Sequence, residues 1–391
     1  MDAADGYDIF SPEYRADPWS QWAAMRRAGC PLSRSEAWGG SWMPVRYDDI
    51  HDIGRDAERF TSRATEVAGP VEVAGGLFLP PLTSDPPDHK PHRDLLLPFF
   101  TPKAAADLEP FIRSTAARLV DDLAARGRGD AVADFAQPLT LGALTQLLGV
   151  PPTDAPRFVD WMLRLIRIGG KDQAVRARTV SDILAYVDGL LEERAASPRD
   201  DLLSYLVTAE IDGEPLSRRH KLGAAFLVLL AGADTTWSAI GACLWHLATH
   251  PGDRRRLAAD PATIAFALEE LLRFYAPVTI GRLARTDVEL HGRRIPAGDR
   301  VLLAFGAANR DPATFDDPDT CDLDRSQNRH LTFGSGPHRC LGAHFARAEL
   351  RISLQEWLRA MPEFHLRDPQ AVEWTGGQVR GPERLDFQVG A

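Results

Sequence analysis

The stretch FGSGPHRCLG, residues 333–342, decides how this chain reads. It holds Cys340, one of only four cysteines in 391 residues. The thiol lies among glycines, two basic residues and a proline. Directly after it, AHFARAELRISLQEWL has the period of an amphipathic helix. A thiol so confined has four readings: a redox switch, a nucleophile, a metal ligand, or a buried residue without chemistry. Cys30, Cys243 and Cys321 stand at no close metal-type spacing, and so few cysteines make no disulfide framework.

Composition narrows the class. Hydrophobic residues at 44% and charged residues at 26% are ordinary for a soluble globular protein. A net charge of −10 argues against nucleic acid as the main partner. The acidic start MDAADGYDIF lacks the basic-then-apolar pattern of a signal peptide. The longest apolar run, LGAAFLVLLAGA, stops at Asp234, short of the ~20 residues a membrane span needs. The expectation is a cytoplasmic protein with no membrane contact.

Organisation follows from periodicity. AAADLEPFIRSTAARLVDDLAARG and VSDILAYVDGLLEERAA carry apolar residues at three- and four-residue steps. PATIAFALEELLRFYAP reads as a helix with Asp260 as N-cap, Pro261 in its first turn and an end before Pro277. GGSWMPVRY reads as a strand. DVELHGRRIPAGDRVLLAF reads as a hairpin turning at residues 296–298, and VEWTGGQVRGPERLDFQV as a second hairpin. The chain is therefore expected to be mainly α with a smaller β part. It forms a single domain over 1–391, with β-rich pieces near 36–62, 282–305 and 372–390.

A long helix over about residues 217–249 is apolar nearly all round and so central, but Asp234, Thr235 and Thr236 interrupt it. A threonine hydroxyl can take the carbonyl four residues back, here that of Ala231, and loosen the turn. Two readings stand. Either the threonines satisfy themselves while Asp234 pairs with a distant arginine, or the acid and alcohol deliver protons beside Ala231 and Gly232. Glu270 and Arg273 share a helix face between leucines, as a buried pair would. His89 and Arg93 stand four apart at a helix start, and Arg282 follows the loop APVTIG.

Together these segments resemble the cytochrome P450 family of haem-thiolate monooxygenases, in particular its soluble bacterial members. Phe333, Gly336, Cys340 and Gly342 match the haem-ligand signature, with His338 where bacterial members often carry histidine. AGADTT matches the oxygen-activating motif, Glu270-x-x-Arg273 the core ion pair, and DPPDH with Arg93, AANRDP and CDLDR follow in the family's order.

The resemblance implies the fold, with a long central helix over the haem, and haem b held by the Cys340 thiolate. A thiolate ligand favours O–O cleavage. The following helix N-terminus favours its negative charge, and Phe333 shields it from water. Gly336, Gly342 and Ala231 leave room for the macrocycle. His338, His89, Arg93 and Arg282 become partners of the propionates. Pro91, between His89 and Arg93, makes the helix start at His89 the weaker part of this set. Thr235 engages the co-substrate O2 and Asp234 relays protons, while Glu270, Arg273 and Arg325 or His330 hold the fold.

No glycine-rich fingerprint offers a flavin or nicotinamide site. Electrons are therefore expected from a ferredoxin and its reductase, with NAD(P)H used indirectly. Arg325, Arg329, Arg339 and Arg347, with Lys90 and Arg113, form a basic patch to steer that acidic partner. The substrate pocket draws Leu77, Phe78 and Leu79 from one loop and Leu227 and Leu230 from the central helix. Val278, Thr279 and Ile280 come from the loop before Arg282, and Gln378 and Val379 from the C-terminal hairpin. Such a pocket suits a small to medium apolar molecule, taken up by a monomer. Hydroxylation is the main expectation. Oxidative coupling or dealkylation at the same centre is a variant, and a non-catalytic haem sensor is the rival from another class.

Overall fold

The computed structural model describes residues 5–69, 77–169 and 172–390. Its axis is the helix Arg218–Thr249, 32 residues long. Ser217 caps it by accepting the His220 amide, as Ser does at helix starts. The helix is long and apolar enough to cross a membrane. Its apolar window is nevertheless 78% buried within the protein, so the core accounts for its composition. The helices Gln137–Leu148, Gln173–Ala196 and Ala343–Ala360 pack against it. Phe226, Trp237, Ile240 and Leu244 of the long helix sit in the resulting apolar core.

The β part gathers distant pieces. Strands β1 (Leu32–Ser35), β2 (Ser41–Pro44), β3 (Phe60–Thr61), β4 (Thr279–Ala284) and β5 (Arg300–Ala304) form one sheet. Its order is β1-β2-β5-β4-β3. All neighbours run antiparallel except β5 and β2. Met43, Val301 and Leu303 pack from this sheet against Ile50 and Phe315 in a second core. The mainly helical class with smaller sheets is the expected one.

Two hairpins differ from expectation. Val288–Leu290 pairs with Arg293–Ile295 through a turn at His291 and Gly292, both with positive φ, which suits a two-residue hairpin turn. Residues 296–298 instead form a connection, and β5 crosses to pair with β4. The C-terminal hairpin shrinks to a Trp374–Pro382 bridge. The strand Asp386–Val389 beyond it joins Phe364–Leu366 and Arg128–Asp130.

Candidate active site

The Cys340 loop is closed by a backbone bond from the Cys340 amide to the Phe333 carbonyl, 2.8 Å. Gly336 has φ +66, and a Cβ there would lie 2.8 Å from the Gly54 carbonyl oxygen and 2.9 Å from Arg55 Cα. Its glycine thus serves to seat the loop on residues 54–55. It is absent from the cavity wall, which corrects the expectation of close macrocycle approach. Gly342 does line the cavity. A Cβ there would meet no protein atom nearer than 3.9 Å, so the space its side chain would take belongs to the cavity. Cys340 is exposed to that internal space. Burial pushes its thiol up, while the Gly342 amide and the charges of Arg93, Arg339 and Arg347 draw it down.

The cavity, about 360 Å³, separates the cysteine loop from the long helix. Leu77, Leu79, Leu227, Leu230, Ala231, Val278, Ile280, Gln378 and Val379 line it as expected. Phe78 does not. Its ring packs edge-on against His92 and His220, because the loop turns successive side chains to opposite sides. Thr279 does not either. Strand alternation sends it behind Val278 and Ile280. Leu144, Leu147 and Ile166 complete the wall, and no motif in the sequence singles them out.

Four basic groups meet at one end of this cavity. Pro91 falls in the first turn of the helix His89–Leu96, where its missing N–H costs nothing, so His89 and Arg93 share a face. His89 and His338 have ring centroids 4.3 Å apart, and each Nε2 is buried without a partner among the described residues. Arg282 is 4% exposed and donates only to the Gly281 carbonyl, 2.8 Å, while Arg93 has no ion pair among the described residues. Burial pushes Arg282 down to about 10. Burial, with Arg282, His89 and Arg93 close by, pushes His338 down to about 2. Two buried guanidiniums beside two imidazoles with unsatisfied ring nitrogens call for an anion between them.

Asp234 is 1% exposed and accepts from the Ser238 hydroxyl at 3.4 Å. Thr235 donates to the Ala231 carbonyl at 2.8 Å. The helix stays α-helical through both residues, so the back-bond is made without breaking it.

Comparison with known proteins now decides the family. Residues 264–373 match the family model described as Cytochrome P450. The chain is 35% identical over 376 residues to the probable cytochrome P450 127A1 of Sinorhizobium fredii, covering 95% of this chain and 90% of that one. It is 36% identical over 397 residues to the mycinamicin IV hydroxylase/epoxidase of Micromonospora griseorubida, covering 96% and 98%. The chain belongs to the cytochrome P450 family. Its fold matches myxobacterial CYP267B1, solved in complex with myristic acid, with a TM-score of 0.90 at 35% identity over 98% of this chain and 99% of that one. It is a P450 monooxygenase, an oxidoreductase of the bacterial type.

The residues of this P450 fit the haem such a family implies. The unpartnered Nε2 atoms and the two arginines offer donors for two carboxylates, Gly342 leaves room, and Cys340 faces the same space.

Outside the cavity the P450 ties the segment 309–328 to the helix Ile264–Phe274 through a buried pair. Arg273 donates to Glu270 at 2.7 and 2.8 Å. It also donates to the carbonyls of Asn309, Pro318 and Thr320. Arg325 joins at 3.1 Å to both Glu270 oxygens, whereas His330 turns to Glu269 instead, 3.1 Å. The expected basic patch is correspondingly smaller. Arg325 is spent on Glu270, Arg347 on Glu269, Arg113 on Glu356 and Lys90 on Asp94, which leaves Arg329 and Arg339. Sequence spacing shows where cations lie along the chain, not which carboxylates the fold brings to them.

Proposed function

We propose that this P450 inserts one oxygen atom from O2 into a C–H bond of a small to medium apolar organic molecule. Its electrons come from a ferredoxin served by an NAD(P)H-dependent reductase. Cys340 and Thr235 on the walls of one apolar cavity are the observation that carries this reading. Haem b, when bound with its iron on the Cys340 thiolate, supplies oxygen activation, the thiolate's electron density favouring O–O cleavage.

The chain's own residues do the rest. The Gly342 amide, at the start of the helix Ala343–Ala360, favours the anionic form of the Cys340 sulfur against the burial that opposes it. His89, Arg93, Arg282 and His338 hold the two propionates by charge-assisted hydrogen bonds. Thr235 fixes its own proton on the Ala231 carbonyl, which leaves the lone pairs of Oγ1 to accept a hydrogen bond from the cavity side. Asp234, one residue back, brings protons from the interior to that hydroxyl. Leucines 77, 79, 227 and 230 exclude bulk water, and Gln378 gives substrate a polar handle.

Arg329 and Arg339 steer the acidic ferredoxin to the thiolate side. On this reading the enzyme is a single-domain monomer working in the cytoplasm. Mycinamicin IV hydroxylase/epoxidase and the polyketide biosynthesis cytochrome P450 PksS of Bacillus subtilis, the latter 31% identical over 372 residues, are named for natural products. Molecules of that kind head the substrate panel.

The test is a spectral screen for compounds that displace water from the iron, followed by turnover with a surrogate ferredoxin and reductase under isotopically labelled dioxygen. The expected result is product carrying one labelled oxygen atom. Ligands that shift the spectrum but give no oxygenated product would overturn the assignment.

A further inference from the structure

Two adjacent glutamates have parted company. Glu270 lies in the buried pair with Arg273, while Glu269 turns towards the cysteine helix and takes Arg347. Arg347 donates to Glu269 through Nε and Nη2, both at 2.7 Å, the two-pronged geometry that suits guanidinium and carboxylate. His330 adds a third contact through Nε2 at 3.1 Å. Burial raises the Glu269 carboxyl, but Arg347 and His330 outweigh it and hold it at about 2, so it stays ionised.

Arg347 is also the neighbour of Phe333. Its guanidinium carbon lies 4.3 Å from the Phe333 ring centroid, and the Phe333 carbonyl receives the Cys340 amide. The side chains of Arg347 and Glu269 are only 28% and 32% exposed, so solvent screens them incompletely. At the effective dielectric of such a site, a unit charge within about 10 Å still acts appreciably on another. Arg347 is among the cations felt at the Cys340 sulfur.

We propose that Glu269 is a positioning residue that sets the field on the Cys340 thiolate. By clamping Arg347 against Phe333 as a neutral pair, it withholds a full positive charge from the sulfur and keeps the iron's reduction potential low. The inference rests on Cys340 being the haem ligand. It assigns a role to a glutamate outside both the ligand loop and the core pair.

The test is redox titration of the substrate-free holoenzyme and its variants. Glu269→Gln leaves Arg347 uncompensated, so the potential rises. At a fixed applied potential the reduced-to-oxidised ratio grows by up to about tenfold, ~59 mV for one electron. Arg347→Met leaves Glu269 uncompensated and moves the potential the other way, and the double variant returns close to wild type. Opposite signs that cancel distinguish a field effect from loosened packing. Unchanged potentials, or two shifts of the same sign, overturn the inference while the reduced carbon monoxide band still reports a thiolate ligand. Survival of that band in Cys340→Ser instead overturns the ligand assignment itself.

Discussion

The imidazoles of His89 and His338 meet edge to face, 4.3 Å between centroids, and the buried Nε2 of each has no partner among the described residues. Arg282 and Arg93 line the same end of the cavity. Two guanidiniums and two unsatisfied imidazoles gathered in a buried place destabilise the chain unless an anionic ligand satisfies them. The site therefore suits an anionic ligand that the protein does not supply, and on the function proposed above its anionic groups are the two haem propionates.

Removing one of these donors weakens retention of haem. With a charged hydrogen bond worth ~1.5–3 kcal/mol, Arg282→Gln or His338→Ala speeds haem transfer to excess apomyoglobin by about 10- to 100-fold. Transfer at the wild-type rate would remove that residue from the propionate set.

The Glu270–Arg273 pair is 0–1% exposed in its side chains and bonds groups of six further residues, so its loss is structural. Arg273→Ala strips the buried Glu270 carboxylate of its two-pronged partner, leaving Arg325 as its counter-charge, and orphans three carbonyls, at a cost of ~3–5 kcal/mol. Arg273→Lys fares little better, because an ammonium cannot span the carboxylate and three carbonyls. Both variants should yield little folded holoprotein by soluble expression and circular dichroism. Wild-type melting of Arg273→Ala would contradict the account.

Stability should fall on mild acidification. Burial, with His92 beside it, holds His220 at about 4, below its ordinary value of 6.5. The unfolded chain therefore takes up a proton first as pH drops. The loss begins near pH 6.5 and runs to about 4, at no more than ~1.4 kcal/mol per pH unit for this group, with no contribution above pH ~7. His220→Phe, which keeps a ring against Phe78, reduces the slope of urea midpoint against pH. An unaltered slope would show that His220 is not a contributor.

Thr235→Ala should uncouple turnover. Electrons are still consumed, but product per electron pair drops severalfold and hydrogen peroxide makes up the difference. Thr235→Ser, which keeps the hydroxyl, should retain most coupling. Equal coupling in the alanine variant and the wild type would exclude the hydroxyl from proton delivery.

Much of this was legible in the chain. The spacing of Phe333, Gly336, Cys340 and Gly342, the acid and alcohol inside an apolar helix, and Glu270 with Arg273 are local patterns, and local patterns survive without coordinates. What failed was long-range or two-faced. Thr279 and Phe78 had the right composition but the wrong side, since one residue's shift along a strand or loop reverses the face. The hairpin turn fell at His291 and Gly292, whereas the turn at 296–299 forms but links strands that pair with other partners. The pairing of Arg347 with Glu269, 78 residues apart, leaves no trace in spacing at all. Glu349 was also unmarked. It is a buried carboxyl on the cavity wall whose Oε2 has no partner among the described residues and whose pKa burial raises well above normal. In sequence it reads as an ordinary helix-surface glutamate.

The central claim is that Cys340 binds iron as a thiolate, and one spectrum tests it most directly. The reduced wild-type holoenzyme under carbon monoxide should show the long-wavelength Soret band that gives the cytochrome P450 family its name. Cys340→Ser, reconstituted with haem, should lose it. A Cys340→Ser protein that keeps the band would contradict the account.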